Sequence, residues 1–101
     1  MFVRVLRVDV EPERIDAIVS RYRETVRPIH EQAAGLRRHY VLVDRAQGRI
    51  QIIGLWDSQE SLEEVAATLE PARERLWNEF RQTPSLETYE VADELEHPPR
   101  S

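Results

Sequence analysis

This chain has no cysteine and no lysine: all 14 of its basic residues are arginine. Without cysteine there is no thiol nucleophile, no disulfide and no thiolate metal site. Without lysine there is no Schiff-base chemistry, no pyridoxal phosphate linkage and no Walker-type phosphate loop. Glycine is scarce, and the three present, Gly35, Gly48 and Gly54, form no GxGxxG cluster. The three histidines, His30, His39 and His97, include no pair at ligand spacing on one helix, so no metal is expected. No apolar run approaches about 18 residues, and no membrane span is expected. A basic stretch followed by an apolar core and a small-residue cleavage site is missing too, so the expected location is the cytoplasm. The net charge of −5 leaves no basic face for nucleic acid.

What is present suits one folded domain. The 101 residues are 41% hydrophobic and 33% charged, the balance of a globular protein rather than a disordered one. The organising stretch runs from Gly35 to Trp56. Leu36 to Asp44 and Arg49 to Trp56 are rich in β-branched and aromatic residues, and the short Gly-containing loop 45–48 joins them as a hairpin. Ahead of it, Phe2 to Val10 reads as a strand. Glu11-Pro12-Glu13 opens a helix on which Ile15, Ile18, Tyr22, Val26, Ile29 and Ala33 form one stripe, with a kink at Pro28 and a cap at Gly35. After the hairpin, Asp57 to Glu60 reads as a capping box with Asp57 as the cap. Leu62, Val65, Ala66 and Leu69 make the next buried stripe. Pro71 is expected to break that helix and restart a piece carrying Ala72, Leu76 and Phe80, which ends at Thr83-Pro84. Leu86 to Leu95 reads as a last strand. Residues 1–95 form the expected domain, and 96–101 a disordered polar tail.

The order β-α-β-β-α-β is the ferredoxin-like α+β arrangement, an antiparallel four-stranded sheet with both helices on one face. Pairing Asp44 with Arg49 puts Arg37, His39, Val41 and Val43 on one face with Ile50, Ile52, Gly54 and Trp56. Arg38, Tyr40 and Leu42 then share the other face with Gln51, Ile53 and Leu55. Both faces are largely apolar, and helices cover only one. An open face of that size exceeds what a monomer usually shows, so a homodimer packed sheet to sheet is expected.

The run Pro28, Gly35-Leu36, Tyr40, Leu42-Val43-Asp44, Gly48-Arg49 and Trp56-Asp57-Ser58, with Tyr89-Glu90-Val91, resembles the antibiotic biosynthesis monooxygenase family. The resemblance covers residues 1 to about 95 and implies a dimeric α+β barrel. The quinone-forming, cofactor-free members use a Trp at the strand end, matched here by Trp56. Their Asn four residues earlier and Tyr six later are matched by Ile52 and Leu62, so two polar groups of that site are missing. The haem-degrading members use an Asn on the first strand, a Trp in the second helix and a His soon after. Here the first strand has no Asn, Val65 lies in the Trp region, and 71–76 holds no His; Asn78 is the chain's one asparagine. Haem degradation is not expected.

The expected pocket lies between sheet and helices. His39, opposite Gly54, is the candidate catalytic base. Arg37, opposite Trp56, is placed to hold an anionic oxygen. Tyr22 looks inward from the first helix, and Val41, Ile52, Leu62 and Val65 supply apolar walls. Each has a plainer reading: His39 as a core histidine, Trp56 as a core plug, Arg37 as a surface ion-pair partner. His30 and His97 read as solvent-exposed. The resemblance implies a small cofactor-independent monooxygenase, or a cyclase or isomerase, acting on an aromatic or polyketide-like molecule. A non-catalytic binding module and a purely structural dimer are the alternatives. A void of about 300 Å³ or more beside His39 and Trp56 separates the first two readings from the third.

Overall fold

The computed structural model describes residues 1–77 and 84–98, with Trp77 described by its backbone alone. Strand β1 (Phe2–Asp9) leads through a 3-10 turn (Pro12–Arg14) into α1 (Ile15–Thr25) and α2 (Arg27–Glu31). Strands β2 (Leu36–Asp44) and β3 (Arg49–Trp56) follow, then α3 (Gln59–Trp77) and β4 (Ser85–Glu90). The expected extension to Phe80 and the end at Thr83 fall outside the described residues.

The four strands form one antiparallel sheet in the order β2-β3-β1-β4. This is the expected ferredoxin-like α+β fold. The barrel is not. Strands β2 and β4 are opposite edges that do not pair, and the sheet stays open. Four strands are too few to close, since even the small filled barrels take about eight. The last strand is also shorter than expected, ending at Glu90 rather than Leu95.

The hairpin has the expected register, with Asp44 opposite Arg49. The Asp44 carboxylate accepts from the backbone N–H of Ala46 and of Gln47, which ties the loop down. Val43, Val41 and His39 then face Ile50, Ile52 and Gly54. One residue departs. A bulge between Leu36 and Arg38 puts Leu36, not Arg37, opposite Trp56. A bulge shifts every side chain beyond it to the other parity. Arg37 is thereby turned to the surface, where it pairs with Asp57 and donates to Met1 Sδ at 3.3 Å. Asp57 is thus not the helix cap; Ser58 is, its Oγ accepting the N–H of Ser61 at 3.2 Å.

Proline acted differently from expectation at both helix positions. At Pro28 the chain does not kink but breaks: α1 ends at Thr25, and Pro28 falls in the first turn of α2, where no N–H is needed. At Pro71 the helix does not break; α3 runs through it. Pro71 lies on the exposed side, while Leu69 and Leu76 on either side are buried at 0% and 3% exposure. A proline costs a helix interior about 3 kcal/mol, and burying two leucines contributes roughly as much or more.

The core lies between the helices and one sheet face. Ile15, Ile18, Tyr22 and Val26 from α1 and its exit meet Leu6, Val8, Ile50 and Trp56 from the sheet, with Leu62, Leu69 and Leu76 from α3. No helix among the described residues is long and apolar enough to cross a membrane.

Candidate functional site

Three side chains from three elements meet at the centre of the helical face. The Tyr22 hydroxyl lies 2.8 Å from His39 Nε2 and 3.3 Å from His30 Nδ1. The two imidazoles are 4.2 Å apart by ring centroid, and Trp56 stands 6.3 Å from His30. A phenol has one proton, so Tyr22 donates to one imidazole and accepts an N–H from the other. The three groups form a continuous hydrogen-bonded chain.

Expected to be exposed, His30 is instead buried at 7% exposure. His30 rather than Ile29 is the buried residue of α2. A signal for it existed: Ile18, Tyr22, Val26 and His30 recur every four residues. His97 is exposed, as expected.

Burial sets the protonation of the chain. It lowers the His30 pKa to about 4, with the charges of His39 and Arg73 adding to the effect. Burial and then Arg73 also lower His39. Burial raises Tyr22, against a smaller opposing pull from Arg73. Near neutral pH the imidazoles are therefore unprotonated and the phenol is intact.

This has a cost in acid. Unfolded His30 titrates near its ordinary value of 6.5 and folded His30 near 4, so between these values the unfolded chain binds more protons. Stability is full above pH 6.5 and falls as pH drops toward 4, by about 3 kcal/mol in all for this group. Melting temperature measured at pH 7 and at pH 5 is expected to fall. His30→Leu is expected to remove most of the difference, and an unchanged slope in that variant overturns the assignment.

The triad divides two spaces. Outside it lies an open groove of about 760 Å³, walled by α1, α2 and β2, with Val19, Leu36, Val41 and Val43 among its apolar lining. Inside lies a small cavity of about 20 Å³, room for one or two water-sized groups. Tyr22, His30 and His39 line both. The void that borders both His39 and Trp56 is thus far below the size expected of a ligand site, and the larger groove borders His39 but not Trp56.

The expected pocket residues sort accordingly. Tyr22, His39, Ile52, Gly54, Trp56 and Leu62 line the inner cavity. Val41 lines the groove. Val65 faces a separate shallow groove between α2 and α3, and Arg37 is outside altogether. Gly54 does not make room for His39; a methyl there would meet Trp56 Nε1 at 2.8 Å, so its missing side chain seats the indole.

Sequence reasoning missed two arginines. Arg4 on β1 and Arg73 on α3 both line the inner cavity. Each lies on an apolar pattern: Arg4 alternates with Phe2, Leu6 and Val8, and Arg73 continues Leu62, Ala66, Leu69 and Leu76. Among the described residues no three His, Cys, Asp or Glu gather as a metal site.

The fold is that of a ferredoxin-like α+β protein with a polar triad under its helices. Residues 1–86 match the antibiotic biosynthesis monooxygenase family, and the chain belongs to it. It is similar to a dimeric ferredoxin-like protein from an uncultured marine organism, with a TM-score of 0.79 and 20% identity over 96% of this chain and 92% of that one. It is also similar to SnoaB, a cofactor-independent oxygenase from Streptomyces nogalater, with a TM-score of 0.70 and 17% identity over 95% and 97% of the two chains. An uncharacterised Mycobacterium tuberculosis protein, Rv2557, is 27% identical over 92 residues, which are 91% of this chain and 41% of that protein. The chain thus spans about two-fifths of the length of the curated relatives it matches.

Proposed function

We propose that this protein is a homodimeric, cofactor-independent oxygenase-type enzyme that removes a proton from an aromatic or polyketide-like molecule held in the outer groove. The observation that carries the reading is the Tyr22 hydroxyl within hydrogen-bond reach of two imidazoles at the floor of that groove. His39 is the catalytic base. It is half-buried, unprotonated near neutral pH, and stands where groove and triad meet. Tyr22 and His30 are positioning residues that pass the proton inward and hold the His39 ring. An imidazole ready to accept a proton at neutral pH suits general-base catalysis.

Family membership and the likeness to a cofactor-independent oxygenase support oxygen as the second substrate. An anthrone-type phenol then gives up the two hydrogens of its methylene carbon. One atom of O2 becomes the new carbonyl oxygen, and the other leaves with those hydrogens as water. The proposed dimer packs two sheets through the face that the helices leave bare. A relative of the same fold is described as dimeric.

The test is quinone absorbance on incubation with anthrone in air. Turnover is expected, and His39→Ala is expected to lower kcat by about 100-fold or more. No turnover by the unaltered protein, or turnover indifferent to His39→Ala, overturns the reading.

A further inference from the structure

The inner cavity holds more positive charge than the fold can use. Arg4 and Arg73 reach it from opposite layers, one from the sheet and one from α3. Among the described residues neither makes a salt bridge or a side-chain hydrogen bond. Arg4 Nε is buried with no partner. A buried, unpartnered donor costs about 1–3 kcal/mol, more when charged, and such atoms are rare in folded proteins. Glu63 is the carboxylate whose charge reaches Arg4, while among the described residues Arg73 feels the like charge of Arg4 and an opposing pull from Tyr22 alone. Both guanidiniums are partly desolvated, and Arg73 acts on both imidazoles of the triad.

Resting on the function proposed above, we infer that Arg4 and Arg73 form an anion subsite behind the triad, which takes a carboxylate or phenolate oxygen of an aromatic ligand whose ring lies in the outer groove. The cavity's volume of about 20 Å³ admits a group of that size and no ring. Tyr22, His30 and His39 border both spaces, so an anion in the cavity lies beside the proton chain. The subsite thereby gives the chain a direction. Charge left on the ligand when His39 takes its proton is stabilised by guanidiniums already in place, and fixed, dry, preorganised charge is the most effective kind. It also explains why two arginines stand at apolar positions of β1 and α3: the fold carries them at a loss that an anion recovers.

The experiment uses 1-naphthoate and its neutral counterpart 1-naphthalenemethanol, titrated calorimetrically against the whole chain. Naphthoate is expected to bind at least about tenfold more tightly, with affinity that falls as salt rises. Arg4→Met and Arg73→Met are each expected to abolish that preference. Arg4→Met removes an unpartnered donor and keeps the apolar stem, so its melting temperature without ligand is expected to equal or exceed that of the parent. Equal binding of the two probes, no binding of either, a preference that survives Arg4→Met, or a melting temperature that drops in that variant each overturns the subsite. His39→Ala separates the two proposals. It is expected to lower anthrone turnover by about 100-fold or more, while the preference for naphthoate over the alcohol, set by Arg4 and Arg73, persists even if both affinities shift. If turnover withstands His39→Ala while the preference holds, His39 loses its catalytic role and the anion subsite stands.

Discussion

Gly48→Ala is expected to lower stability by about 3–5 kcal/mol, a large part of what a domain of this size has. Gly48 has φ +72°, a region where a side chain alone costs on the order of 1–2 kcal/mol. The larger part is steric. A methyl group built there lies 2.1 Å from the carbonyl oxygen of Val10, which is backbone and has no rotamer to adopt. The same approach carries structure, because the N–H of Val10 donates to the Gly48 carbonyl at 2.7 Å. It ties the end of β1 to the hairpin turn, so relieving the clash pulls apart the two central strands at one end. Thermal melts at fixed protein concentration are expected to show a fall of roughly 15–30 °C. Gln47→Ala, one residue away and exposed, is expected to stay within about 0.5 kcal/mol of the parent. A loss under about 1 kcal/mol in Gly48→Ala shows that Val10 can move aside.

Ile53→Glu is expected to convert the proposed dimer into single 11.9 kDa chains, with a dissociation constant raised at least about 1,000-fold. Ile53 is at the middle of the bare sheet face, flanked in register by Val5 on β1 and Tyr40 on β2. Around it on the same face lie Val3, Leu42, Leu55 and Tyr89. Tyr40, Leu42 and Tyr89 are 48%, 45% and 53% exposed in the single chain, more large apolar surface in one patch than a monomer normally leaves wet. In a two-fold pairing one substitution acts twice, and each carboxylate must lose its water on entering an apolar patch. In the isolated chain Ile53 is only half-buried, so the variant is expected to remain folded. Sedimentation at micromolar concentration is the measurement. Ala67→Glu, exposed on the helical side, is the control and is expected to stay paired. A parent protein that sediments as a single chain removes the pairing, and a variant that sediments as a pair moves it to another surface.

Much of the scaffold was legible because it follows from local rules. Alternation and turn chemistry placed the hairpin to the residue, from Asp44 opposite Arg49 to His39 opposite Gly54. The site was half legible. Tyr22, His39, Ile52, Gly54, Trp56 and Leu62 are where the periodicities put them, but a bulge at Arg37 moved the expected anion-holding arginine to the surface. The true inward arginines were hidden by the habit of assigning charge to solvent. His30 sat on the four-residue recurrence of Ile18, Tyr22 and Val26 and was hidden by the same habit.

The amino-acid sequence by itself determined the element order, the hairpin register, a sheet greasy on both faces, and the absence of thiol and lysine chemistry. These depend on neighbours a few residues apart, where sterics and side-chain period decide. Tertiary structure alone decided that the sheet stays open, that α3 runs through Pro71, and that Arg4, Arg73 and His30 turn inward to meet Tyr22 and His39. Those outcomes compare local costs with packing gains between residues far apart in the chain, and only the assembled core sets that balance.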